Sequence, residues 1–150
     1  MMYMKVKIVC EKDKYEKIKN ELETKGIEVV EESNLVLIDL DSHNNQIRIQ
    51  TKNEIEIVNS MDIVAIESFD HDIYVYVKNK EIVTRTPLKE IKKLLDDSFI
   101  QINQSVIVNK KCITKIKNAF NYRFIVFMSN GKEFTVTKTY YYKFMEEFNI

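Results

Sequence analysis

The sequence predicts an α+β protein, mostly antiparallel β, built as a small N-terminal β-α-β-β lobe (1–45) followed by a strand-rich domain (46–150). Three observations predict it. Short runs of alternating apolar and polar residues follow one another from Ile47 onward. Only three segments carry a helical apolar stripe. Asn130-Gly131 sits between two alternating runs, the strongest short hairpin signal. At 150 residues the chain has room for one domain with a small appendage.

The elements read in order as follows. Val6, Ile8 and Cys10 alternate as a strand does. A helix follows, with Asp13 as N-cap, Glu16 at the capping-box position, Tyr15, Ile18 and Leu22 on one face, and Gly26 at its stop. Ile27–Val30 and Leu35–Leu40 are short strands, and the polar run Asp41–Gln46 is a linker or exposed turn. The second lobe starts with strands at Ile47–Gln50, Glu54–Val58, Ile63–Ser68, Ile73–Val77 and Ile82–Thr84. Thr86 as N-cap and Pro87 at the first helical position begin a helix with Leu88, Ile91 and Leu95 buried. Strands return at Phe99–Ile102, Val106–Val108, Ile113–Lys117, Tyr122–Ser129 and Lys132–Thr137. A last helix from Lys138 places Tyr141, Phe144, Met145 and Phe148 on one face. No internal repeat, low-complexity tract or coiled-coil heptad is expected.

Composition removes several function classes. Two glycines are too few for a GxGxxG or P-loop phosphate cradle. Cys10 and Cys112 cannot make a disulfide framework or a cysteine-based zinc site. No run of 18 apolar residues spans a membrane, and the N-terminus lacks a signal-peptide core, so a cytoplasmic protein is expected. Neither a cofactor nor a small-molecule substrate is expected.

Catalytic chemistry has little to work with. His43 and His71 are the only histidines. Neighbours along a strand face opposite ways, so Asp70, His71 and Asp72 do not converge on one ion, and a polar turn is the better reading. Ser68 or Ser105 beside His71 lacks an oxyanion-forming glycine turn. The chain is read as non-enzymatic, without a metal site.

Charge is the one compositional signal that points to a partner. The 23 basic and 23 acidic residues cancel overall. Yet Ser98–Met145 holds eight bases (Lys110, Lys111, Lys115, Lys117, Arg123, Lys132, Lys138 and Lys143) against one acid, Glu133. Segregated charge creates a field even at zero net charge, and a polyanion such as nucleic acid suits it.

The second lobe resembles the LytTR DNA-binding domains of bacterial transcription regulators. The resemblance rests on ordered segments: DIVAIESFDHDIYVYV (62–77), TPLKEIKKLL (86–95), SFIQINQSVIVNKKCITKI (98–116) and FIVFMSNGKEFTVTKTYYYKF (124–144). It covers about residues 46–150. It implies an elongated antiparallel β fold that reads duplex DNA with loops rather than a recognition helix. The helices fit that implication, since Lys89, Lys92 and Lys93 are countered by Glu90, Asp96 and Asp97.

Three contact positions carry over from the resemblance. His71 matches a loop residue that reaches DNA, Gln104 a polar contact before a serine, and Lys138 a basic residue starting the last helix. Asn103, Ser105, Thr139, Lys110 and Lys111 complete the candidate set. A neutral amide suits a base edge, and a lysine at a helix N-terminus suits phosphate. Gln104 and Lys138 stand where arginine is common, and Lys138 lacks arginine's planar fork.

The resemblance further implies a transcription regulator binding repeated duplex sites as a homodimer. The first lobe is too short for the receiver domain many members carry, which suggests a stand-alone member and leaves room for a small membrane-protein inhibitor. Asp39 ends a strand but lacks the βα repeats of a phosphoacceptor domain. The alternative is a protein-interaction or ligand-sensing module that has lost DNA binding.

Overall fold

A computed structural model describes residues 4–10, 12–39 and 46–150. The chain divides into two compact units, Met1–Asn44 and Asn45–Ile150. The linker read at Asp41–Gln46 lies outside the described residues except for Gln46.

In the first unit, β1 (Met4–Val9) is the centre of a three-stranded sheet. It is flanked by β2 (Ile27–Val29) and β3 (Val36–Ile38), and both pairings are parallel. This unit therefore departs from the antiparallel rule of the rest. The reason is local: helix α1 (Lys12–Thr24) crosses between β1 and β2 and returns the chain in the same direction. Asp13 lies in the first helical turn rather than at the cap. Gly26, with φ of +79°, takes the left-handed conformation that ends the helix.

The second unit is antiparallel in three layers. The first layer is the hairpin of β4 (Gln46–Gln50) and β5 (Ile55–Asn59). A 3-10 turn (Ser60–Asp62) then leads into the meander β6 (Ile63–Phe69), β7 (Asp72–Val77) and β8 (Lys80–Thr84). Next is α2 (Leu88–Lys92), one turn long, with Pro87 as its cap instead of Thr86. β9 (Phe99–Asn103) and β10 (Val106–Asn109) form a second hairpin. It completes a central five-stranded sheet in the order β8-β7-β6-β10-β9. A second 3-10 turn (Lys110–Cys112) leads into β11 (Ile113–Ala119), β12 (Arg123–Met128) and β13 (Glu133–Val136). This three-stranded layer is followed by α3 (Lys138–Phe148).

Alternation sorts the core residues into two clusters. Ile47, Ile49 and Val58 pack with Ile63, Ile66, Ile73, Val75, Ile82 and Ile91. Ile100, Ile102 and Val108 pack with Phe124, Val126, Phe134 and Phe144. Phe144 and Ile63 are fully buried.

These clusters expose an internal repeat, which overturns the expectation of none. Hairpin, 3-10 turn, three-strand meander and helix occur twice, over residues 46–92 and 99–148. Asn59 and Asn109 cap the two 3-10 turns with nearly the same backbone angles, φ/ψ −75°/121° and −81°/116°. The register of each meander slips at the same place, between Ile63 and Ala65 and between Ile113 and Lys115. Two consecutive left-handed residues turn each first hairpin, Asp70-His71 and Asn121-Tyr122. The repeat is hidden in sequence because its loops differ in length, four residues between β4 and β5 against two between β9 and β10, and two between β6 and β7 against three between β11 and β12, which breaks any fixed period. Identities at matching positions include Ile57 with Ile107, Val58 with Val108, Asn59 with Asn109, Ile63 with Ile113, Ile66 with Ile116, and Val75 with Val126.

The hairpin at Asn130-Gly131 forms, with only Gly131 left-handed at φ +86°. Gly131 N–H donates to Met128 O at 2.9 Å, and Met128 N–H to Lys132 O at 2.8 Å. That is a three-residue loop whose glycine takes the left-handed position, not a two-residue turn.

Candidate nucleic-acid interface

The candidate residues sit on turns, and backbone hydrogen bonds bring most of those turns to one end of the second unit. Asp70 and His71, both at positive φ (48° and 69°), make the two-residue turn between β6 and β7. His71 is exposed. Gln104 and Ser105 turn β9 into β10, and both are exposed. Ser68 N–H donates to Ser105 O at 2.7 Å, tying the end of β6 to that second turn.

α3 joins from the other side. Thr137 N–H donates to Ile102 O at 3.0 Å, so Lys138 begins its helix beside the Gln104 turn. Asn103 holds this junction: its Nδ2 donates to Thr135 O at 2.8 Å and its Oδ1 accepts from Ser105 N–H at 2.8 Å. Its amide is therefore occupied in shaping the loop. Lys138 and Thr139 are exposed.

Lys110 and Lys111 lie elsewhere. They follow β10, whose four residues place them roughly 13 Å from the Gln104 turn. Lys110 Nζ is 2.9 Å from Glu147 Oε2 at the far end of α3. That hydrogen bond holds the Glu147 carboxyl below the usual glutamate range. Lys111 is exposed, and its N–H is taken by Asn109 Oδ1.

One element of this end escaped the sequence reading. The loop Phe120–Tyr122 between β11 and β12 carries Phe120, 91% exposed. Asn121 and Tyr122 are left-handed, at φ 61° and 57°. For a tyrosine that conformation costs about 1–2 kcal/mol. Tyr122 is held by edge and tilted ring contacts to Tyr141 and Tyr142, at 5.6 Å and 6.3 Å between centroids. Lys138 Nζ lies 5.8 Å from the Tyr122 ring. The loop is thus fixed beside the start of α3. Among the described residues, Lys117, Arg123 and Lys138 form no ion pair. The missed signal was the likeness of Phe69-Asp70-His71 to Phe120-Asn121-Tyr122.

Two acidic side chains near this end are engaged in pairs. Asp72 Oδ1 is 3.7 Å from Arg85 Nε, and Glu67 accepts from Tyr76 Oη–H at 2.7 Å. Burial, with that carboxylate, pushes the Tyr76 phenol up. Among the described residues no group of His, Cys, Asp or Glu is placed to hold a metal ion.

The LytTr DNA-binding domain family model matches residues 53–149. The chain belongs to the LytTR family. Its second unit covers the match, and the antiparallel β architecture with short helices is the family's fold. A LytTr DNA-binding domain from Bacillus cereus superposes with a TM-score of 0.64 at 25% identity, over 71% of this chain and 98% of that one. The transcriptional regulatory protein LytR of Staphylococcus aureus is 25% identical over 118 residues, which are 77% of this chain and 46% of that protein. The sensory transduction protein LytR of Streptococcus agalactiae is 31% identical over 85 residues, 56% of this chain and 35% of that protein. The chain spans less than half the length of either relative. No helix among the described residues is long and apolar enough to cross a membrane.

Proposed function

We propose that this LytTR protein is a cytoplasmic, non-enzymatic transcription regulator that binds specific duplex DNA. The observation that carries the reading is the convergence of three turns and a helix N-terminus, with unpaired bases, at one end of a LytTR domain. Lys138 meets phosphate, where the α3 N-terminus adds its own partial charge. Gln104, in a turn free of charged neighbours, reads a base edge. His71 and the Phe120 loop reach the groove as equivalent tips of the two halves. Asn103 and Ser105 shape the Gln104 turn, and Thr139 stands next to Lys138 at the same surface. Lys110 and Lys111 belong to the opposite end and add at most to the general field.

Phosphate contacts position a protein and base contacts give specificity, so the two roles separate experimentally. Lys138→Ala weakens cognate and scrambled duplexes alike and lowers the salt slope by about one unit. Gln104→Ala costs on the order of 1–3 kcal/mol on the cognate site and little on scrambled DNA. Fluorescence anisotropy at several salt concentrations reads both. No binding to any duplex at low salt would sink the reading and favour an interaction module that has lost DNA binding.

A further inference from the structure

The repeat leaves two strands without the neighbour that their counterparts have. β6, from the first half, is hydrogen-bonded to β7 on one side and to β10, from the second half, on the other. The counterpart of β6 is β11, and the counterpart of β10 is β5. Among the described residues, β11 pairs with β12 alone and β5 with β4 alone. Exposure follows. Val106 to Asn109 are all buried in β10, whereas Glu56, Ile57 and Asn59 of β5 are not. Ile107 is 1% exposed and its counterpart Ile57 is 63% exposed. Ile63 to Ile66 are buried in β6, and none of Ile113 to Ile116 is buried in β11.

We infer that β11 of one chain pairs with β5 of a second copy, rebuilding between molecules the antiparallel β6–β10 contact found within one. The inference is independent of DNA binding. The joined layer has the order β13-β12-β11-β5-β4, matching β8-β7-β6-β10-β9 strand for strand. The internal register transfers directly. Val106, Ile107 and Val108 oppose Glu67, Ile66 and Ala65. Their counterparts place Glu56 against Lys117, Ile57 against Ile116, and Val58 against Lys115. The Ser68 N–H to Ser105 O bond becomes Asn118 N–H to Ile55 O.

Charge and apolar surface agree with this register. Glu56, whose carboxylate lies 3.4 Å from Lys80 Nζ of its own chain, meets a second, exposed lysine that has no ion pair of its own, and opposite charges facing across strands stabilise the pair. Ile57, stranded in water in one chain, is covered by half-buried Ile116. Lys115 and Lys117 along a bare edge discourage pairing with arbitrary strands. An edge carrying Glu56 satisfies Lys117 instead of repelling it. Because the two edges differ, the contact is head-to-tail, and each copy keeps one edge open for the next.

Sedimentation velocity of the full chain at low salt, over rising concentration, tests the contact. The wild type gains mass beyond one chain, and salt weakens the gain. Lys117→Glu places like charges at the contact and abolishes association; Glu56→Lys does the same but also gives up the Lys80 ion pair of its own chain, so the double swap restores association in part. Ile57→Thr, on an exposed β position, lowers association severalfold without touching the core, and decides the matter if a charge variant fails to fold. A wild type that sediments as one chain throughout overturns the inference. So does association in the single variants equal to that of the wild type.

Discussion

Asn59 and Asn109 occupy equivalent places in the two halves, so replacing each with alanine compares one residue type in two environments. Each side-chain oxygen accepts a backbone N–H two residues on, from Met61 and Lys111, both at 3.0 Å. Losing such a cap costs about 0.5–1 kcal/mol where water can replace it. Asn59 is exposed, and Asn59→Ala stops there. Asn109 is 2% exposed, and its Nδ2 also donates to Ile63 O at 3.0 Å, inside the core. Removing that donor leaves the buried carbonyl with only the weak Cys112 thiol, 4.0 Å away, a further penalty of about 1–3 kcal/mol. Asn109→Ala is therefore expected to cost about 1.5–4 kcal/mol, summing the cap and the carbonyl. Urea titration followed by near-ultraviolet circular dichroism of the rings around Phe144 measures both at a common slope. Equal losses for the two variants would refute the reasoning, since the difference rests wholly on the Ile63 carbonyl.

Glu147 titrates below the ordinary glutamate range because Lys110 hydrogen-bonds its carboxylate. A lowered folded-state value stabilises the fold above the unfolded carboxyl's range and is lost as pH falls through the folded value. Lys110→Ala returns the Glu147 carboxyl toward its usual range and removes that acid-side dependence, and carbon-detected NMR titration reads the change. Phe120→Ala leaves stability nearly unchanged, since the ring is 91% exposed. It weakens DNA binding about tenfold, the low end of base–aromatic stacking, because parting a base step offsets part of the gain. Unchanged affinity and unchanged DNA bending by this variant would remove Phe120 from the interface.

Most strands were legible because a half-buried antiparallel strand writes its alternation directly into the chain. β4, with Ile47 and Ile49 buried between exposed Gln46, Arg48 and Gln50, is the plain case. β1 follows the same rule with Val6 and Ile8, but alternation does not encode direction, so the parallel pairing of the first unit was not readable. Caps were less legible. Thr86 has the right chemistry for an N-cap, yet its N–H and hydroxyl both bond the buried Thr84 hydroxyl, and the helix waits for Pro87. At the interface, His71, Gln104 and Lys138 were reached through the resemblance to the family, not through pattern. Lys110 and Lys111 look the same in sequence as the bases near Lys138. Only the direction of β10 puts them at the far end.

The Phe120 loop shows why function was harder to read than fold. Taken alone, a phenylalanine between an alanine and an asparagine is an unremarkable strand end, and an apolar residue there reads as core. Its meaning comes from the other half of the molecule. Phe69, the last residue of β6, likewise precedes two left-handed residues, Asp70-His71, and it too is largely exposed, at 66%. Both turns hold two residues in the left-handed region, a conformation that Gly, Asn, Asp and His adopt more readily than other residues. Asp70, His71 and Asn121 suit it, whereas Tyr122 does not. The two halves differ in what surrounds the tip. Asp70 and Asp72 flank His71, while Arg123 and Lys138 stand by Tyr122. One tip is suited to a neutral, hydrogen-bonding contact and the other to a strongly anionic one. A duplex presents both kinds of surface, base edges within the groove and phosphates along its rim.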